Sequence, residues 1–189
     1  MSTRLKLAVA AVVIGGAVVA GVLVARGDAS RDHATLSNTG GPAIGIRGLR
    51  LKAAPIRQGH VLAVRHGRAF YRLSTVSGDP CFGVGFASDA GSPGSVDCPR
   101  GGFPSGGSPV LDFSVYEGTR HDVKEVSLFR IEGIAADGVA AVQFFRPNGA
   151  IALTVPVSGN VYSAASVPKG PISGFAALDK DGKRVWRSP

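Results

Sequence analysis

Residues 7–25, LAVAAVVIGGAVVAGVLVA, run for 19 positions without a charged or polar side chain, and this run constrains the chain more than anything after it. As a helix rising about 1.5 Å per residue it spans about 28 Å, close to the roughly 30 Å hydrocarbon core of a bilayer. Backbone groups in hydrocarbon must be satisfied within the segment itself, so the run is predicted as one transmembrane helix. A secretory signal peptide also opens on positive charge and an apolar core, and Gly27-Asp28-Ala29 before Ser30 is a tolerable cleavage context. Signal cores are typically about 7–15 residues, so length favours an uncleaved signal anchor. Seven Val, six Ala and three Gly against two Leu and one Ile make the run only moderately apolar, and a secreted form released by cleavage is the alternative.

Arg4 and Lys6 precede the run on a six-residue stub, whereas Arg26 and Arg31 follow it in company with Asp28 and Asp32. The stub, residues 1–6, is therefore assigned to the cytoplasm and the body to the outside of the cell membrane. Within the run, Gly16 with Ala20 and Ala17 with Gly21 stand four apart, a spacing that lets two membrane helices approach. It would support a weak homodimer, although an Ala- and Gly-rich run produces such pairs by chance. Residues 26–43 are mostly small and polar without apolar periodicity, and they read as a flexible tether to a domain at 44–189.

The formal charge of +8 is unevenly spread. Between His33 and Gly78 there is no Asp or Glu, while Arg47, Arg50, Lys52, Arg57, Arg65, Arg68 and Arg72 supply seven positive charges; residues 79–189 carry ten basic and eleven acidic side chains. A cationic face beside a membrane would attract anionic lipid or an acidic wall polymer. The same residues would also serve merely to solubilise sheet edges. Nucleic acid is disfavoured as a partner outside the cell, and Phe70 with Tyr71 does not make a base-stacking platform.

Cys81 and Cys98 are the two cysteines, set in a Gly/Pro/Ser-rich stretch without metal-ligand spacing. On the outside of the membrane they are predicted to form a disulfide contributing about 3 kcal/mol, chiefly by restricting the unfolded chain. It would pin the loop 77–109, in which residues 82–87 read as one short strand.

Short β-branched and aromatic runs separated by turn dipeptides fill the rest. Residues 44–52 alternate apolar and basic; VLAVR and RAFYRLSTV flank His66-Gly67 as a hairpin; 110–116 and 126–134 alternate. Residues 139–145 and 151–157 flank the turn signal Asn148-Gly149, and strands around Tyr162, at 172–178 and at Val185-Trp186 follow, the last two separated by Asp181-Gly182. No segment after the tether shows a 3.6-residue period. The expected architecture is all-β, a sandwich of immunoglobulin-like general type behind one N-terminal transmembrane helix.

RAFYRLS at 68–74, DFSVYEG at 112–118, GIAADGVAAVQFF at 133–145, PVSGNVY at 156–162 and FAALDKDGKRVW at 175–186 together resemble uncharacterised exported or membrane-anchored proteins of high-GC actinobacteria. Fifteen Arg against six Lys fits a GC-rich genome. The resemblance covers residues 60–187, implies an extracytoplasmic β domain and brings no catalytic motif.

Catalytic constellations are sparse. Ser166-Val167-Pro168-Lys169 has S-x-x-K spacing, but a Pro in a strand-and-turn region denies it the helix that brings Lys back to Ser. Residues 102–106, GFPSG, do not match G-x-S-x-G; His66 sits in a turn; His121-Asp122 stands among polar neighbours as a solvated loop. No metal cluster, cofactor motif or phosphate loop is read. The function expected is therefore a non-catalytic binding or structural module of the cell envelope, holding an anionic surface or a protein partner. An envelope enzyme with a site assembled around loop 77–109 is the competing expectation.

Overall fold

His66 and Gly67 take left-handed backbone, with φ of 46° and 72°. Two successive positive φ values match the right-handed twist of flanking strands, and a hairpin closes there. It joins β2 (Ile56–Arg65) to β3 (Arg68–Thr75), as the sequence predicts. The computed structural model describes residues 36–46, 56–75, 78, 80–99, 103–104, 108–117 and 127–188. The predicted membrane segment 7–25, the tether as far as residue 35, residues 47–55 and His121-Asp122 lie outside them. The described residues form antiparallel β-sheets and no helix, so none crosses a membrane as a helix.

β1 (Ala43–Gly45), β2, β3, β4 (Pro80–Phe86) and β5 (Ser95–Asp97) make a five-stranded sheet in chain order. β3 is buried on both faces over most of its length. Phe70, Phe82 and Val84 pack with Leu62 on one side, whereas Ala69, Tyr71, Leu73 and Cys81 pack with Ile56 on the other. The short strand expected at 82–87 within the loop 77–109 is present as β4, and the loop also holds β5, which pairs with it, Phe82 opposite Asp97 and Val84 opposite Ser95. Cys81 and Cys98, one position beyond that ladder, are joined by the predicted disulfide.

The C-terminal part follows its turn signals closely. β10 (Ala141–Phe145) and β11 (Ile151–Pro156) flank the turn at Gly149, where φ is 81°; β13 (Gly174–Leu178) and β14 (Arg184–Arg187) flank Gly182. These four strands form one sheet in the order β11-β10-β13-β14. Its inward alternation places Val142, Phe144, Val155 and Ala177 in the main core, with Phe175 and Trp186 packed against them. Phe144 and Phe175 lie 5.7 Å apart by ring centroid, and Phe175 and Trp186 5.5 Å. On the outer face, Arg184 and Arg187 lie over the Phe145 ring.

β6 (Val110–Asp112), β9 (Glu132–Ala135) and β12 (Val161–Ser163) form a third sheet; β7 (Val115–Glu117) pairs with β8 (Ser127–Arg130). The strands expected at 110–116 and 126–134 are thus each broken once, at Phe113-Ser114 and at Ile131. The break has a local cause. The Phe113 amide donates to the Glu132 carbonyl at 2.9 Å, but the Glu132 amide turns to the Ser114 hydroxyl at 3.3 Å, where a regular ladder would offer a carbonyl. Phe113, Ile134 and Val161 share a core cluster with Phe70, Phe82 and Val84, joining the third sheet to the five-stranded one.

Candidate functional site

The broken ladder surrounds a buried charge. Glu132 is fully buried at 0% exposure, which for a carboxylate is costly unless it is paired and hydrogen-bonded. Arg68 supplies the pairing: Nε donates to Oε2 at 3.0 Å and Nη2 to Oε1 at 3.2 Å, a two-point contact only guanidinium geometry allows. Arg68 is itself 7% exposed, and its other side is closed by the Phe86 ring, whose centroid lies 4.5 Å from the guanidinium carbon. Strand register arranges this, because Arg68 stands opposite Phe86 across β3 and β4.

A second guanidinium completes the group. Arg130 Nε lies 2.8 Å from Glu132 Oε1, but its N–H is not directed at that oxygen, so the contact is an ion pair and not a hydrogen bond. With 29% of its side chain exposed, Arg130 connects the buried carboxylate to solvent.

Asp112 is fixed beside them. Its Oδ1 accepts from the Ser114 amide at 3.2 Å, from the Ser114 hydroxyl at 2.5 Å and from the Tyr162 hydroxyl at 3.0 Å. Tyr162 reaches Asp112 across Gly133, which stands between them in register; a Cβ at Gly133 would collide with the Tyr162 hydroxyl and the Leu111 carbonyl. A Tyr162→Phe variant removes one donor to a charged group. It is expected to unfold with about 1.5 kcal/mol less free energy by chemical denaturation, whereas an unchanged midpoint would mean the hydroxyl does not hold Asp112.

These side chains border an open cleft of about 540 Å³ lined by Ser95, Val96, Asp97, Asp112, Phe113, Ser114, Val115, Arg130 and Glu132. One wall is the edge strand β5 and the other the interrupted strands, so the disulfide tethers the first wall next to its terminus. The lining mixes acceptors (carboxylates), donors (guanidinium), hydroxyls that are both, and the apolar Val96, Phe113 and Val115. Among the described residues no group of three His, Cys, Asp or Glu is arranged to hold a metal ion.

The basic residues singled out in the sequence go to different places. Arg47, Arg50 and Lys52 lie outside the described residues, and Arg57 falls in β2. Arg65 is exposed and donates to the Val64 carbonyl at 3.0 Å; Arg72 is half-buried, opposite His60 and Phe82. Arg68 is committed to Glu132, which takes it out of any exposed cationic face. His66 is exposed in its turn, its Nδ1 3.1 Å from the Ser163 hydroxyl. Sequence reasoning overlooked Glu132, Arg130, Asp112 and the β5 wall. One signal was present: Arg130 and Glu132 stand two apart in an otherwise apolar stretch, a spacing that gives a strand one charged face. No family model, no curated protein and no solved structure matches this chain.

Proposed function

We propose that the chain is a non-catalytic binding module of the cell envelope, an immunoglobulin-like β-sandwich anchored outside the membrane by residues 7–25, with its ligand site in the cleft beside Glu132. The observation that carries the reading is the Arg68–Glu132–Arg130 triad at the cleft wall. Taking three charges from water costs several kcal/mol per ion, and a packed apolar group of the same volume is often as stable or more so. Stability alone therefore gives the triad little reason to exist; what it does supply is a guanidinium held in one position at the rim of a concave polar site. The envelope location is supported by the Cys81–Cys98 bond, which persists in oxidising compartments, and by the length of the apolar run. Exposed Arg65 and half-buried Arg72, with the basic residues at 47–57, would face anionic lipid or wall polymer.

A second reading is favoured by one feature: Asp97, on the loop 77–109 around which an envelope enzyme was expected to assemble its site, lines the same cleft as Asp112. Two carboxyl groups can divide acid and base roles in a hydrolysis. The test is a digest and a product analysis. External protease on intact cells is expected to degrade the body beyond residue 35, and a protected body overturns the location. Envelope glycan incubated with the full chain in detergent is expected back uncleaved. New reducing ends that disappear with Asp97→Asn overturn the non-catalytic reading in favour of the hydrolase.

A further inference from the structure

Resting on the cleft as the ligand site, we infer that its ligand is a neutral, hydroxyl-rich group of the saccharide class. The charges of the described residues around the cleft disfavour the simpler ligands. Among the described residues, Asp97, Asp112 and Glu132 line it against Arg130, with Arg68 behind Glu132, so a phosphate or carboxylate ligand would meet more negative than positive charge there. A cationic ligand would satisfy the carboxylates but would be set beside a guanidinium that cannot lose its proton. Burying donors or acceptors without partners costs binding free energy, so the favoured ligand offers both roles at several adjacent points. A sugar hydroxyl does so: it donates to a carboxylate and accepts from a guanidinium or serine.

The remainder of the lining fits the same chemistry. Val96 and Val115 give apolar surface for the C–H faces of a ring whose edge carries the hydroxyls. Ser95 and Ser114 add groups that both donate and accept. The volume of about 540 Å³ is within the usual range of small-ligand sites. Arg130 is already oriented by Glu132, and Asp112 by Ser114 and Tyr162, so little ordering of side chains opposes binding.

The test uses the full chain, isotopically labelled, in a polyoxyethylene detergent, because glycoside detergents would themselves offer sugar. Three probes are titrated separately: a neutral glucan oligosaccharide, trilysine and inorganic phosphate. Saturable shifts with the oligosaccharide, confined to Ser95–Asp97, residues 112–115, Arg130 and Glu132, are expected. Arg130→Ala should weaken that binding about tenfold or more. Asp97→Asn, an exposed change that leaves the triad intact, should weaken it also and guards against a misfolded Arg130 variant. Cleft shifts with trilysine or phosphate and none with the oligosaccharide overturn the ligand class while leaving the site standing. Silence in the cleft with all three probes overturns both. Oligosaccharide binding that neither variant weakens overturns the assignment of these residues.

Discussion

Replacing Glu132 with alanine is expected to lower the free energy of unfolding by about 3–5 kcal/mol, as removing one member of a buried ion pair generally does. The cost arises less from lost attraction than from what remains: Arg68, 7% exposed, would keep a full charge with no carboxylate, and Phe86 on its other side offers only the weaker face of an aromatic ring. Glu132→Gln should lose a large share of the same amount, since the amide keeps the shape but cancels the charge opposing two guanidinium groups. A triple variant, Arg68→Met with Glu132→Leu and Arg130→Met, should recover to within about 1 kcal/mol of the parent or exceed it, because apolar packing avoids desolvating any ion. The single tryptophan, Trp186, packs against the main core and reports unfolding by fluorescence in denaturant. An alanine variant that loses under about 1 kcal/mol would show that the triad is solvated in solution and would remove the support it gives the cleft. A stable triple variant that no longer binds would separate the function of these charges from any structural service.

The turns were legible because their cause is local. His66-Gly67, Asn148-Gly149 and Asp181-Gly182 each place a glycine where φ is positive, and the strands on either side follow from alternation. The interruptions at Phe113-Ser114 and Ile131 were not legible, because a serine hydroxyl replaces a backbone partner there and nothing in the alternation of 110–116 marks it. The strand at 82–87 and the cross-link were legible, but β5 was hidden by its composition: Gly, Pro and Ser around it read as loop, and its pairing with β4 is a tertiary fact. Arg68 was misplaced for a deeper reason. A run of like charges reads as a solvated face, and its carboxylate lies 64 positions away, beyond any local window. Burial of the Phe70 face of β3 is settled by packing from the third sheet, and the Glu132 that this sheet carries turned a presumed surface cation into the inner half of the candidate site.

The second large effect concerns the wall of the cleft. Changing both Cys81 and Cys98 to alanine is expected to cost about 3 kcal/mol, the entropy of closing a loop of this length in the unfolded chain. The loss should not be felt uniformly. β5 has three residues and, among the described residues, pairs with β4 alone, so its ladder is short. With the bond in place, Ser95–Asp97 is held beside β4; without it, opening of that strand no longer requires unfolding the sheet. Hydrogen exchange on the full chain should therefore quicken first at Ser95–Asp97, while amides of β10 and β13 in the main core keep their protection relative to global stability. Ligand binding in the cleft should weaken by more than the change in the folded fraction explains, because Ser95 and Asp97 are displaced in molecules still folded elsewhere. Chemical reduction of the parent provides the same comparison without mutation. If the reduced chain, with two titratable thiols, kept its denaturation midpoint and its slow exchange at β5, the edge strand would be held by pairing and packing alone, and the bond would have no part in shaping the site.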